Sequence, residues 1–321
     1  MEKGNESGGK RREVVSSMKR RALWHDYRGL SIYMVTIETG GRRPLLCEIE
    51  GTPAAPRVWP SPLGRALKEA WERMAVVYDG VRPLWFQLMP DHLHGILHFD
   101  GTADVHLGRV VNGLKIAGNK AYRAAGLASA EEPSLWAPGY HDRVLGDENH
   151  LARMVKYVKD NPRRALMRRA NPRLFEVVHD LEAAGRKFEA QGNIFLLERP
   201  ERVAVRVSRR VKTGEEIAAV VERFVAMARG GAVLMSPSIS PGEMAVRDAL
   251  LDAELPFVLV RPSGFERYGK PSGRLFEACA AGLLLQVSEH PFTTRRVELT
   301  RPLCEEMNSL AAALATPPPG E

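Results

Sequence analysis

Residues 87–99 read QLMPDHLHGILHF, and this stretch decides the fold of the first half of the chain. Apolar and aromatic side chains on both sides of Pro90-Asp91 predict two strands, at 83–89 and 92–99, joined by a tight turn. Alternation along the second strand puts His92 and His94 on one face, about 7 Å apart. Two imidazoles at that spacing can bind one metal ion, although two partly buried structural histidines would give the same pattern. His98 shares the face but lies about 13 Å from His94, too far for the same ion.

Further elements flank this pair of strands. The sequence predicts a strand at 30–38, a helix that starts at Ser61-Pro62, a helix at 106–125, a strand at 140–145 and a helix at 148–169. The order of these elements matches a ferredoxin-like split βαβ arrangement and therefore an α+β fold. In such a fold one face of the sheet stays free to carry a site.

The pattern changes after residue 175. Short strands alternate with amphipathic helices that begin at capping boxes, at Thr213 and Ser240, which predicts a smaller α/β domain with a Rossmann-like parallel sheet. We therefore expect a basic flexible arm at 1–25, an α+β domain at 26–175, a helical linker at 176–191, the α/β domain at 192–310 and a disordered tail at 311–321.

The charge is uneven along the chain. The 321 residues carry a net charge of +7. Residues 1–174 hold 28 Lys and Arg against 19 Asp and Glu, and 151–174 hold eight basic residues against one acidic residue. Such a stripe is typical of a protein that binds a phosphate backbone, although a solvated helix face has the same composition.

Composition excludes several other classes of protein. No apolar stretch of about 18 residues is present, and the first residues lack the apolar segment of a secretory signal, so we expect a cytoplasmic protein without a membrane partner. Three cysteines, far apart and without a CxxC pair, argue against a disulfide scaffold or a cysteine zinc site. Cys279 reads as core packing.

The predicted helix at 148–169 carries a second candidate group. Tyr157 and Asn161 are four residues apart, so a phenol and an amide project from one helix face. A packing tyrosine followed by an Asn161-Pro162 helix terminator is the alternative. Tyr122 and Tyr140 are rival candidates for a nucleophile.

Together these segments resemble a known family. QLMPDHLHGILHF followed by YVKDNPRRAL resembles the HUH single-tyrosine transposases, in particular the REP-associated tyrosine transposase branch. The segments HDYR…IYMVTIETGGR and GYHDRVLGDENHL extend the resemblance over about residues 22–172. Asp91 stands where asparagine is commoner in that family, and Leu166 replaces the usual glycine.

The resemblance implies a reaction and its residues. By position, His92, His94 and Asn161 would hold Mg²⁺ or Mn²⁺, and Tyr157 would be the nucleophile that forms a 5′-phosphotyrosine on single-stranded, hairpin-flanked DNA. Lys156, Lys159, Arg163, Arg164, Arg168 and His98 are the candidate DNA contacts. Members of the family act as monomers or homodimers, and a nucleoid-associated location would follow.

A weaker resemblance covers about residues 191–290. SPSISPGEMAVRDAL and VRPSGFERYGKPSGRLFEACAAG are similar to the Rossmann-like superfamily of DNA-processing protein A and the lysine-decarboxylase-like nucleotide enzymes. It implies a candidate nucleotide or anion site at Ser208, Ser236, Ser238, Gly264 and Gly273, unless these are only caps and turns.

Three functions remain open at this point. The first is a DNA cleavage and strand-transfer enzyme, either a transposase or a domesticated descendant. The second is a catalytically silent DNA-binding regulator whose C-terminal domain senses a nucleotide or DNA. The third is an unrelated metallohydrolase or nucleotide-processing enzyme.

Overall fold

The computed structural model describes residues 25–208, 210–211, 213–266 and 269–315. The chain divides into two compact units between Leu166 and Met167, and not at a linker near 176–191. Residues 1–24 of the predicted arm lie outside the described residues. His25 belongs to the first unit, where its Nε2 lies 2.9 Å from Oη of Tyr33 and shares a hydrogen bond with it.

The first unit is built on a four-stranded antiparallel sheet. Its strands, in the order β4-β5-β1-β6, are β1 (Ser31–Glu38), β4 (Val81–Leu88), β5 (His92–Phe99) and β6 (His141–Leu145). This is the strand order of the split βαβ arrangement that the sequence predicts. The helices are α1 (Pro62–Glu72), α2 (Met74–Val77), α3 (Leu107–Ala124) and α4 (Glu148–Ala170).

One element of this unit is missing from the sequence prediction. β2 (Cys47–Thr52) and β3 (Ala55–Pro60) form a separate two-stranded hairpin before α1. Three prolines within residues 53–60 obscure the alternating pattern of a strand, because proline cannot donate to a ladder. The start of α1 is as predicted: Ser61 Oγ accepts a hydrogen bond from Gly64 N at 3.0 Å, and proline occupies the first turn.

The two faces of this sheet have different environments. Tyr33, Val35 and Ile37 of β1 are fully buried, in the same core as apolar residues of α1 and α3. The alternate residues of β1, including Thr36, are half-buried on the opposite face. The helices α1 and α3 therefore cover one face, and the other face carries the predicted histidines.

Gly95 permits a close approach between β5 and α1. A Cβ added at Gly95 would overlap the indole of Trp71, which lies directly over the glycine. Phe86, the strand neighbour of Gly95 on β4, stacks on the same indole with ring centroids 5.3 Å apart. The glycine is therefore a packing requirement of this core.

We predict that Gly95→Ala lowers the free energy of unfolding by about 1–3 kcal/mol, because the added methyl group must displace the packed indole of Trp71. Urea denaturation followed by circular dichroism measures this loss. Gly146→Ala is the matched control, since a Cβ there meets no atom within 4 Å. It should change stability by less than about 0.5 kcal/mol. Equal effects of the two substitutions would contradict the packing account.

The second unit is a mixed six-stranded sheet in the order β7-β8-β12-β11-β10-β9. The strands are β7 (Val177–Ala183), β8 (Arg186–Gly192), β9 (Arg202–Ala204), β10 (Val233–Ser236), β11 (Phe257–Val260) and β12 (Leu284–Ser288). The last four are parallel and lie in consecutive order, whereas β8 runs antiparallel to β12.

The consecutive order determines where the helices lie. The helices are α5 (Gly214–Arg229), α6 (Pro241–Asp252), α7 (Arg274–Ala280) and α8 (Arg301–Leu314). Residues of α5, α6 and α7 share one core, and α8 covers the other face of the sheet. The predicted parallel α/β character is present. However, the order of β9–β12 never reverses, so these strands lack the switch point at which a doubly wound Rossmann sheet binds its ligand.

Two boundaries predicted from the sequence are wrong. Residues 176–191 form the β7–β8 hairpin and not a helical linker. Its two-residue turn is Ala184-Gly185, with φ of +51° and +71°, the left-handed geometry that joins antiparallel strands. Residues 311–314 belong to α8 and not to a disordered tail, because Ala311 and Leu314 are 2% exposed in the core. Residues 316–321 lie outside the described residues.

None of the helices in the described part of the chain combines the length and the apolar character that a membrane span requires.

Candidate functional site

The pair of histidines lies where the alternation of β5 predicts. His92 and His94 share the sheet face opposite α1 and α3, and their ring centroids are 4.8 Å apart with the planes nearly perpendicular. His94 is 8% exposed. In the register of the sheet, His94 lies between Gln87 of β4 and Thr36 of β1.

Both imidazoles are held through Nδ1. Nδ1–H of His92 donates to Oδ1 of Asp91 at 2.6 Å, and Nδ1 of His94 shares a hydrogen bond with Oγ1 of Thr36 at 2.8 Å. An oxygen partner on one ring nitrogen is the usual arrangement of a metal-binding imidazole, because it fixes the ring and directs the other nitrogen to the ion. Thr36 and Asp91 are therefore candidate site residues that the sequence pattern alone does not identify.

Asp91 is a carboxylate at neutral pH. Burial would raise the pKa of this carboxyl group, but hydrogen bonds and positive charge from His92 and Arg42 outweigh it and lower the pKa of Asp91 to about 2. A negative charge therefore lies directly behind the ring of His92. The adjacency of an aspartate and a histidine was the available signal in the sequence.

Asn161 of α4 is buried without hydrogen bonds. It is 4% exposed, and both its Oδ1 and its Nδ2 are buried with no hydrogen-bond partner among the described residues. Leaving such a group unsatisfied costs about 1–3 kcal/mol. A buried amide in this state is suited to a ligand, and its oxygen is a donor that Mg²⁺ and Mn²⁺ accept.

One contact brings α4 against the face that carries the histidines. Nζ of Lys159 lies 4.3 Å from the centroid of the Trp85 ring. Trp85 of β4 pairs with Ile96 of β5, which shares its face with His94 two residues away. The two halves of the predicted site thus lie on elements that meet over one sheet face.

The available donor atoms fit a divalent ion only as a site that combines imidazole nitrogens with an amide oxygen. Within the described residues, no group of three or more His, Cys, Asp and Glu side chains could hold a metal ion. An ion bound by His92 and His94 would therefore need another donor. The amide oxygen of Asn161 is a suitable one, since it has no hydrogen-bond partner among the described residues.

The candidate nucleophiles differ in burial. Tyr157 is half-buried, with the guanidinium carbon of Arg164 5.5 Å from its ring centroid. Tyr122 is 1% exposed, and its Oη accepts a hydrogen bond from Nη1 of Arg43 at 2.6 Å. Tyr140 packs against the core with its Oη buried. Tyr140 is also half-buried, so what distinguishes Tyr157 is that it shares a helix with Asn161.

The predicted DNA contacts fall into different environments. Lys156 and Lys159 are exposed. Arg163 is half-buried and donates to Asp160 at 2.5 Å. Arg164 is 4% exposed and lies 3.0 Å from the same carboxylate, so its assignment as a DNA-backbone contact is corrected: its role is internal.

His98 and Arg168 are the two remaining residues that the sequence predicts to contact DNA. His98 pairs with Arg82 at the far end of the sheet, four residues from His94. Arg168 belongs to the second unit, where its guanidinium carbon lies 5.9 Å from the ring centroid of Phe175.

The candidate anion residues of the second unit lie at the end of β10 and in the loops that follow the parallel strands. Ser236 Oγ accepts a hydrogen bond from Ser238 N at 2.9 Å, and Ser238 adopts a φ of +52°. Ser208 lines an open cavity of about 650 Å³. Gly273 has a φ of +56° before α7. Gly264 is explained by packing, because a Cβ there would overlap Oε2 of Glu189.

A carboxylate of the chain occupies the start of α6. Glu243 is 2% exposed, and its side chain accepts hydrogen bonds from the backbone N–H groups of Val207, Ile239 and Ser240 at 3.3, 2.9 and 3.4 Å. The N–H groups of the loops and the capping residue just before α6 thus already have an anionic partner. Cys279 packs in the core as expected, where burial raises the pKa of its thiol to about 12.

We predict that Glu243→Gln lowers the free energy of unfolding by about 1–3 kcal/mol, because a buried charge-assisted set of hydrogen bonds is lost. Urea denaturation is the measurement. Glu216→Gln is the control, since Glu216 has the same capping-box position on α5 but is exposed. It should cost clearly less, and an equal cost would contradict the special role of Glu243.

Comparison with known proteins gives only distant links. No family model matches the chain. An uncharacterized protein of Haemophilus influenzae is 23% identical over 158 residues, which is 44% of this chain and 86% of that protein.

Two solved structures are similar to part of the chain. A REP-associated tyrosine transposase bound to a REP hairpin is 15% identical, covers 44% of this chain and 72% of its own, and has a TM-score of 0.33. DNA processing protein A from Helicobacter pylori, described for its single-stranded DNA binding, is 18% identical over 44% of this chain and 66% of its own, with a TM-score of 0.33. Scores this low carry no argument about function.

Proposed function

We propose that the protein cleaves and rejoins single-stranded DNA by a divalent-metal-assisted attack of Tyr157, in the manner of an HUH single-tyrosine transposase. The observation that carries the proposal is the buried amide of Asn161, which has no hydrogen-bond partner in the part of the chain that the structure describes. It lies one helical turn after Tyr157, on the helix that contacts the face of His92 and His94.

His92, His94 and Asn161 would hold Mg²⁺ or Mn²⁺. When bound, such an ion neutralises a non-bridging phosphate oxygen and polarises phosphorus, which lowers the barrier to attack on a phosphodiester anion. The two imidazoles would be oriented even without the ion, because Asp91 and Thr36 form hydrogen bonds with them.

Tyr157 would supply the nucleophile. Its phenolic oxygen gives up its proton and bonds to phosphorus, while the bond from phosphorus to the 3′ oxygen breaks and that oxygen takes a proton. The products are a 5′-phosphotyrosine and a free 3′-hydroxyl. Because the phosphoester bond is exchanged and not hydrolysed, the reverse reaction can rejoin strands without ATP.

Arg164 and Asp160 would hold the nucleophile in position. The Arg164 guanidinium lies against the ring of Tyr157 and pairs with Asp160, one turn away on α4. A buried cation fixed in this way restricts the ring, so that little conformational freedom is lost when the substrate binds.

The substrate is proposed to be single-stranded DNA beside a hairpin, which follows from the resemblance at residues 22–172. Lys156 is exposed on the same helix as Tyr157, where it can contact a phosphate backbone. The second unit would bind DNA or a nucleotide through loops after its parallel strands, at Ser208, Ser236, Ser238 and Gly273.

Covalent attachment tests the nucleophile. The full chain, incubated with Mn²⁺ and 3′-labelled single-stranded hairpin DNA, should form an adduct that survives denaturing electrophoresis. The labelled strand is the one that keeps the 5′ phosphate. Tyr157→Phe should abolish the adduct and leave DNA binding largely intact, because only the attacking oxygen is removed.

Tyr140→Phe is the matched control, since it removes a phenol that packs against the core of the same unit. It should leave the adduct unchanged. An adduct that persists in Tyr157→Phe and disappears in Tyr140→Phe would reassign the nucleophile. Tight DNA binding without any adduct would favour a catalytically silent regulator.

Salt dependence tests the DNA-contacting surface. We predict that Lys156→Gln lowers the slope of log affinity against log salt concentration by about 0.7, the value for one phosphate contact on a single strand. Fluorescence anisotropy of labelled single-stranded DNA from 50 to 200 mM salt measures the slope.

Lys68→Gln serves as the reference for this measurement. Lys68 is exposed on α1, which covers the opposite face of the sheet. Its loss should leave the slope unchanged. Identical slopes in all three proteins would rule out Lys156 as a backbone contact.

A further inference from the structure

A chain of charged groups leads from the turn after β1 to the ring of His92. Nη2 of Arg42 lies 3.0 Å from Oε1 of Glu38, and Nη1 of the same guanidinium donates to Oδ2 of Asp91 at 3.1 Å. The other carboxylate oxygen of Asp91, Oδ1, accepts from Nδ1 of His92 at 2.6 Å. Each oxygen of Asp91 therefore has a partner.

The backbone of Asp91 is fixed by the same turn. The backbone N–H of Thr39 donates to the carbonyl oxygen of Asp91 at 2.9 Å, and Oγ1 of Thr39 lies 2.9 Å from the same oxygen and 2.8 Å from the carbonyl oxygen of Arg43. Thr39 is 1% exposed. The carboxylate and the peptide group of Asp91 are thus held independently by residues of one short segment.

The turn itself adopts an uncommon conformation to reach Asp91. Gly41 has a φ of +63°, and Arg42 has a φ of +58°, which is unfavourable for a residue with a side chain. Such a conformation persists where surrounding contacts hold it. Here the contacts are backbone hydrogen bonds, from Arg42 N to Thr39 O at 3.2 Å and from Gly40 N to Leu135 O at 2.8 Å.

We infer that Asp91 is a positioning residue, clamped by Arg42, that holds His92 in the tautomer with a proton on Nδ1 and a lone pair on Nε2 for the ion. This inference rests on the proposed metal site. Because Oδ2 accepts from Arg42 and Oδ1 accepts from His92, we assign Asp91 to positioning the imidazole and not to binding the ion. The negative charge of Asp91 makes Nε2 of His92 a stronger electron-pair donor to a cation.

The ion pair between Arg42 and Asp91 affects the orientation of the Asp91 carboxylate as well as the local charge. A guanidinium that holds both Oδ2 of Asp91 and the carboxylate of Glu38 restricts rotation of the carboxylate that accepts from His92. An exposed ion pair of this kind contributes little to folding stability. Its effect should therefore be seen in the metal site and not in the free energy of unfolding.

Nitrogen-15 NMR of the full chain, labelled at histidine and held near pH 8 without metal, tests the orientation directly. The wild-type protein should have His92 protonated at Nδ1, and Asp91→Asn should lose this preference. The His94 signal is an internal reference, because Thr36 holds that ring. A wild-type His92 protonated at Nε2 would overturn the inference.

Manganese binding tests the consequence. Electron paramagnetic resonance of free Mn²⁺, titrated into the full chain, should give a Kd about 10-fold weaker for Asp91→Asn, within the 10–100-fold range for loss of such a partner. Arg42→Gln should weaken binding in the same direction by a smaller factor. Asp100→Asn, the same substitution just beyond the other end of β5, should change the Kd by less than about 2-fold.

The failure of this inference can be told apart from failure of the proposed function. If His92→Ala binds Mn²⁺ as tightly as the wild-type protein, the proposed metal site is wrong. If His92→Ala loses binding but Asp91→Asn matches the wild type in tautomer and Kd, the metal site stands and the positioning role of Asp91 is wrong.

Discussion

The pairing of β5 between β1 and β4 is the constraint on which the first unit depends. It puts Leu93, Gly95 and Leu97 against the core and His92 and His94 on the opposite face. A slip of one residue would exchange the two sets and bury the imidazoles under α1. The indole that lies directly over Gly95 makes that exchange costly, so the same packing that stabilises the core also fixes the histidines.

The candidate site combines oriented and unsatisfied groups. The imidazoles are held by oxygen partners, whereas the amide of Asn161 has none among the described residues. A protein that only needed stability would gain by pairing or replacing that amide. Under the proposed function, a bound ion would satisfy the oxygen of this amide.

The sequence predicts local periodic features well. The strand at β5, the shared face of its histidines, and the Ser61 cap of α1 follow from spacing and side-chain chemistry alone. The sequence predicts a helix in place of the hairpin at 177–192, because Glu, Ala and Lys favour helices. The left-handed conformation of the Ala184-Gly185 turn has no clear signal in the sequence. The helix α8 was missed, since its burial depends on a sheet face formed by distant strands.

The site could be predicted only in part for a related reason. Residue types and spacing pointed to His92, His94, Tyr157 and Asn161, but the burial of Arg164 depends on how α4 packs. The hydrogen bond from His92 to Asp91 depends on the turn at Pro90-Asp91. The ion pair between Arg42 and Asp91 depends on the left-handed backbone conformation of Arg42, which no periodic pattern indicates. In the second unit, the carboxylate of Glu243 binds the N–H groups just before α6, a contact that depends on how the loops after β9 and β10 meet.

Diffraction from crystals soaked in Mn²⁺, recorded where manganese scatters anomalously, tests the central claim most directly. The account predicts one anomalous peak in the first unit, within bonding distance of Nε2 of His92, Nε2 of His94 and Oδ1 of Asn161. A peak elsewhere, or no peak at these residues under conditions in which the protein binds DNA, would contradict a metal-assisted reaction at this site.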